Sequence, residues 1–175
     1  MSFEVLRGTT DYGLWFLQNK SGELQGYADS DWAGSIDDSK STSGYVFSFG
    51  SGVLTLNSKK QEVVAQSSAE AEYISATAAA NHVIWLRKIL YNVKQHQNEA
   101  TIIWVDNKSV IAIAKNPILY GRTKHIKVKY HAIRGVEKSK EVSLEHCSSE
   151  NQIANIMTKA LSKSKFEMRI KLQTS

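Results

Sequence analysis

The sequence predicts an α/β domain: a mixed five-stranded sheet, first an antiparallel meander and then β-α units, flanked by helices. Three observations carry this. Short strand-like runs separated by glycine-containing turns fill residues 24–57. A long alanine-rich segment with helical periodicity follows. Apolar runs and helical segments then take turns along the rest of the chain.

Asn19-Lys20-Ser21-Gly22 is a turn signal, and Leu24 to Trp32 reads as the first strand. Ser43 to Gly50 alternates apolar and polar side chains and forms the second. Gly50-Ser51-Gly52 makes a tight turn into the third, Val53 to Asn57. From Ser67 to about Tyr91 the chain is helical, with Ser68 as the expected N-cap. Glu72, Ala76, Ala79, Val83, Leu86 and Leu90 fall on one face of that helix. Thr101 to Val105 is a nearly continuous apolar run, as a buried strand requires. Asn107 caps a short helix through Ala114, which stops before Asn116-Pro117. Lys124 to Lys138 is expected to be helical, Val142 to His146 to be the last strand, and Asn151 to Leu161 the last helix. Trp15, Trp85 and Trp104 sit among apolar residues and are expected in the core, whereas Trp32 is expected either beneath the candidate site or stacked on a ligand's sugar.

The 175 residues, 42% hydrophobic and 22% charged, suit one folded domain. Residues 1–20 read as a linker-like lead-in and 162–175 as a C-terminal tail. Met1-Ser2-Phe3 runs straight into Leu6-Arg7-Gly8-Thr9-Thr10, as in a domain excised from a longer chain or a short reading frame derived from one. The single cysteine, Cys147, excludes an internal disulfide and a Cys-rich zinc site. No run reaches the length of a membrane span, and there is no signal-peptide pattern, so the expected setting is intracellular, cytoplasm or nucleus. The net charge of +5 favours a polyanionic partner, nucleic acid above all.

A basic chain that places carboxylates among apolar residues needs a reason for them. Asp29 lies inside the first strand, and Asp106 ends the apolar strand Thr101–Val105. Glu72 begins the apolar stripe of the long helix, while Glu70 is about 200° away around that helix. Asp31 could share a strand face with Asp29, but Asp29 lies deeper. Three such carboxylates repel one another unless protons or cations neutralise them. Oxygen-only ligands favour Mg²⁺ or Mn²⁺, and two ions about 4 Å apart can activate a water and stabilise the leaving oxygen of a phosphodiester. The simpler reading is that Asp106-Asn107 caps the next helix and that Glu72 answers the helix dipole.

Several motifs, in order along nearly the whole chain, resemble the ribonuclease H domain of Ty1/copia-type retrotransposon polyproteins. They are Tyr27-Ala28-Asp29-Ser30-Asp31-Trp32-Ala33-Gly34, Lys40-Ser41-Thr42-Ser43-Gly44-Tyr45, and Ser58-Lys59-Lys60-Gln61 with Ser67-Ser68-Ala69-Glu70-Ala71-Glu72-Tyr73. Asp106-Asn107-Lys108-Ser109, Gly121-Arg122-Thr123-Lys124-His125-Ile126, Tyr130-His131 and Gln152-Ile153-Ala154-Asn155-Ile156-Met157-Thr158-Lys159-Ala160-Leu161 complete the set.

The resemblance implies a ribonuclease H-like fold, two Mg²⁺ ions that Mn²⁺ can replace, and hydrolysis of the RNA strand of an RNA–DNA hybrid. It also implies a reverse transcriptase domain as neighbour in a parent polyprotein. The family's four acids fall on Asp29, Glu72, Asp106 and Asn155, so the fourth is an asparagine here. Asn155 keeps an oxygen ligand but loses a charge, which leaves open both a weakened nuclease and a non-cutting module that binds nucleic acid or a protein partner. Lys59, Lys60, Gln61, Asn107, Lys108, Arg122, Lys124 and His125 are the expected backbone contacts. His146 stands roughly where related enzymes carry a histidine thought to assist product release.

Overall fold

The computed structural model describes residues 22–115 and 140–166. Strands β1 (Leu24–Asp31), β2 (Thr42–Phe49) and β3 (Gly52–Lys60) form the antiparallel meander. Helix α1 (Ser68–Asn92) follows, then β4 (Thr101–Val105), helix α2 (Lys108–Lys115), β5 (Val142–His146) and a 3₁₀ helix, Ile153–Met157. The sheet order is β3-β2-β1-β4-β5, with β4 parallel to both β1 and β5. The expected helix at Lys124–Lys138, and Trp15, lie outside the described residues.

Helix α1 begins one residue earlier than the expected cap allows. Ser67 is the N-cap, and its hydroxyl accepts from the Glu70 amide at 3.2 Å. The Glu70 carboxylate reaches back to accept from the Gln66 amide at 3.0 Å. This reciprocal arrangement satisfies amides that the first helical turn leaves open. It also commits Glu70 to the helix end and leaves Glu72 to face the sheet.

The predicted stripe is the packed face. Ala76, Ala79, Val83, Leu86 and Leu90 are buried against Leu24, Ala28, Phe47, Ile103 and Leu144. Alanines bring the helix backbone close, and Ser75 bridges the gap by donating to the Asp29 carbonyl at 2.7 Å. Trp85 departs from expectation: it is 55% exposed and its ring lies against His82. It sits about 100° around the helix from Leu86, off the stripe. Trp104 is partly buried and stacks on Tyr27, with ring centroids 6.5 Å apart.

The other sheet face carries a second cluster of Val46, Val53, Ile153 and Ala154, with Tyr27 and Met157 packed on it. The expected α-helix Asn151–Leu161 is therefore only the 3₁₀ helix. Ile153, Ala154 and Asn155 are all buried in this short 3₁₀ segment. Gln152 caps this turn by accepting from the Ala154 amide at 3.2 Å. Gly44 admits the segment: a Cβ there would lie 2.6 Å from Thr158 Cγ2 and 2.8 Å from Met157 Cβ.

Candidate active site

The β1–β4 ladder ends at Tyr27 and Trp104, and beyond that pair the strands part. Gln152 fills the opening. Its buried carboxamide donates to the carbonyls of Ala28 (3.0 Å) and Trp104 (3.3 Å), one from each of the parting strands. Asp29 and Asp106 each follow two residues after the last pair, one on either side of the cleft. A crevice outside the carboxyl ends of parallel strands is where open α/β sheets bind ligands.

The expected acids are linked through intermediaries. Asp29 is 1% exposed; it accepts from the Thr158 hydroxyl and from the Lys159 ammonium, 3.2 Å from each carboxylate oxygen. The same ammonium donates to Asn155 Oδ1 at 2.9 Å. Asn155 Nδ2 donates to the Ser149 carbonyl at 3.2 Å, and the Ser149 hydroxyl donates to Asp106 Oδ2 at 2.9 Å. Across the cleft, Glu72 Oε1 accepts from Asn107 Nδ2 at 3.3 Å. Glu72 Oε2 is buried and meets no hydrogen-bond partner among the described residues.

Burial raises the Glu72 carboxyl from the ordinary 4.5 to about 7, helped by the Asp106 and Asp29 charges; the Asn107 hydrogen bond and the Lys159 charge pull it back. A buried carboxylate oxygen without a donor, in the field of two other carboxylates, suits a hard divalent cation. The ligand cage is nevertheless not closed: among the described residues no three acidic, histidine or cysteine side chains stand close enough to hold a metal ion. Asp29 is held by Thr158 and Lys159, Asp106 by Ser149, and Glu72 by Asn107.

No family model matches the chain. It is 40% identical over 163 residues to the retrovirus-related Pol polyprotein from transposon TNT 1-94 of Nicotiana tabacum, a match covering 93% of this chain and 12% of that protein. It is 35% identical over 162 residues to the corresponding polyprotein from transposon RE2 of Arabidopsis thaliana, covering 93% of this chain and 11% of that one. The chain is homologous to a segment of the copia-type retrotransposon Pol polyproteins.

Its fold is that of ribonuclease H. The ribonuclease H1 LC11, isolated from compost by a metagenomic approach, superposes with a TM-score of 0.58 at 14% identity, covering 78% of this chain and 93% of that one. The same enzyme in complex with an RNA/DNA hybrid gives 0.55 at 12% identity, covering 78% and 94%.

The other expected site residues of this ribonuclease H-like domain fall in different places. Lys59 and Lys60 are exposed and pair with Glu62 (3.4 Å) and Asp38 (2.8 Å). Through Ser43 and Thr42 of β2 they share sheet rows with Ser30 and Asp31, at the same sheet end as Asp29. Lys108 is exposed at the start of α2. His146 is exposed at the end of β5, opposite Val105. Asn107 caps α2 by accepting from the Ser109 amide at 2.9 Å. Arg122, Lys124 and His125 lie outside the described residues.

Gln61 turns out differently from the expected backbone contact. It is 6% exposed, and its Nε2 donates to Ser43 Oγ (2.8 Å), the Ala71 carbonyl (2.9 Å) and Ser30 Oγ (3.3 Å). It ties β1 and β2 to the start of α1 from inside. Trp32 is 50% exposed, and its indole N–H donates to the Ala65 carbonyl at 3.1 Å.

Sequence reasoning singled out none of Ser149, Gln152, Thr158 and Lys159 as site residues. Thr158 and Lys159 lay in view within the Asn155 motif. Gln152 also opened that motif, but its role in the cleft was hidden because the Ala28 carbonyl is 124 residues away, as the Asp106 partner of Ser149 is 43 away.

Proposed function

We propose that this domain is a metal-dependent endoribonuclease that cuts the RNA strand of RNA–DNA hybrids and works within, or descends from, a polyprotein carrying a reverse transcriptase. The observation that carries the reading is the parting of β1 and β4, with Asp29, Asp106 and the partnerless oxygen of Glu72 grouped around it. The ribonuclease H fold and the Pol polyprotein relatives support it.

Asp29, Glu72 and Asp106 would hold divalent ions, Mg²⁺ or Mn²⁺, with the Asn155 carbonyl oxygen as a neutral fourth ligand. The chemistry supplied by two bound ions is an activated water and neutralisation of the leaving oxygen. The chain's own residues set the stage. Thr158 fixes the Asp29 carboxylate, Ser149 orients Asp106, and Asn107 orients Glu72. With its carboxyl near 7, Glu72 retains a proton in part at neutral pH, and as a ligand to a bound cation it would be ionised. Lys59, Lys60 and Lys108 hold backbone phosphates beside the cleft, and His146 assists product departure.

The test is cleavage of an end-labelled RNA–DNA hybrid with Mg²⁺ and with Mn²⁺, using wild type and Asp106→Asn. Cutting by wild type that is lost in the variant is the expected result. Folded wild type that cuts with neither ion refutes the proposal. Asn155 and the Lys159–Asp29 contact favour a second reading, a module that binds hybrid without cutting it. That reading requires salt-sensitive hybrid binding that survives Asp29→Asn and Asp106→Asn.

A further inference from the structure

The Lys159 ammonium lies where a cation would be expected. It is 3.2 Å from both oxygens of a 1%-exposed aspartate and 2.9 Å from the oxygen of Asn155. It thus joins two side chains that the metal-dependent reading treats as ligands, on which this inference rests. A buried carboxylate demands a positive partner, and Lys159 supplies one without leaving the chain. The lysine follows Asn155 by four residues, so the 3₁₀ turn that delivers the neutral oxygen also delivers the charge. Its side chain remains 39% exposed, with water available to receive it.

The charges sort the cleft into two halves. When ionised, Asp29, Glu72 and Asp106 carry three negative charges, and Lys159 cancels one of them. What remains matches a single divalent ion. The half with an open ligand is that of Glu72, whose Oε2 has no hydrogen-bond partner among the described residues. The half at Asp29 and Asn155 is already held by the ammonium.

We propose that Lys159 is a tethered counter-cation that competes with divalent metal for Asp29 and Asn155. A first ion enters at Glu72 and Asp106; a second binds only by displacing the lysine into solvent. The loss of charge at position 155 belongs to the same arrangement: the ammonium meets one carboxylate and one carbonyl oxygen, and Asn155 uses its amide to donate to Ser149. Lys159 is in this sense a positioning residue that sets how many ions the cleft holds.

The test is titration of the whole metal-free chain with Mn²⁺, following the free-ion electron paramagnetic resonance signal, in wild type, Lys159→Gln and Lys159→Arg. Wild type is expected to bind one ion well and a second weakly. Lys159→Gln should bind the second about tenfold more tightly, as loss of a competing charge-assisted contact implies. Lys159→Arg, which retains the charge, should resemble wild type.

If wild type binds Mn²⁺ and Lys159→Gln binds no more tightly, the counter-cation is refuted while the metal-dependent reading stands. If neither protein binds Mn²⁺ at millimolar concentration, both fall. A second measurement needs no variant: Lys159 in wild type should be acylated several-fold faster at saturating Mn²⁺ than in chelator, read by peptide mass spectrometry. An unchanged rate with Mn²⁺ bound also refutes the displacement.

Discussion

Replacing Glu72 by glutamine tests the electrostatics of the cleft without any substrate. The carboxyl rises from 4.5 to about 7 on folding, so between these values the folded protein binds more protons than the unfolded chain. The contribution of Glu72 to the stability of the metal-free protein must therefore fall as pH rises through that window, and its loss is complete above about 7. At about 1.4 kcal/mol per pKa unit the shift corresponds to ~3 kcal/mol. Solvent screening of a side chain that is only part-buried reduces this to about 1–2 kcal/mol. Glu72→Gln removes the ionisation and keeps an oxygen for Asn107. Urea denaturation in chelator at several pH values between about 5 and 8 reads both effects. Both proteins share the opposite contribution of His82, whose burial lowers its pKa and which gains stability as pH rises. Against that common background wild type should lose stability relative to the variant, which should be the more stable protein at the alkaline end. Equal slopes in the two proteins, or a variant less stable at the alkaline end, would refute the assignment of this cost to Glu72.

Other perturbations probe the scaffold. Gly44→Ala puts a Cβ into Thr158 and Met157, and the displaced 3₁₀ segment should cost about 1–3 kcal/mol in thermal or urea unfolding. Gln152→Ala leaves the Ala28 and Trp104 carbonyls without their buried donor and should cost about 2–4 kcal/mol, read from the same transitions. Trp85→Gln should change stability by less than about 0.5 kcal/mol, whereas Leu86→Ala, one residue on, should cost about 2–5 kcal/mol. Asn155→Asp adds a negative charge beside Lys159 and Asp29, and calorimetry should show total Mn²⁺ affinity rising about tenfold.

Much of the fold was legible along the chain because the relevant signals are local. Aromatic and β-branched residues ending at a glycine-containing turn marked β2, and a period of 3.6 marked the buried stripe from Ala76 to Leu90. The same period separated Glu72 from Glu70, and the Glu70–Gln66 bond supplies the structural reason. Trp85 misled because hydrophobicity alone does not place a residue on the stripe. The final helix misled because composition cannot tell an α-helix from a 3₁₀ turn pinned by Gln152.

Local pattern along the chain was enough for the order of the five strands with α1 and α2, for the face of α1 that is buried and for the acidic positions worth watching. Only the tertiary structure decided that Gln61 is spent inside the domain, that Gln152 stands in the cleft, and that Lys159 reaches Asp29. The physical reason is range. Periodicity acts over a few residues, whereas charge neutralisation and the satisfaction of buried carbonyls depend on which groups the fold brings within about 3 Å of one another. The Lys159–Asp29 contact spans 130 residues and leaves no periodic trace in the chain.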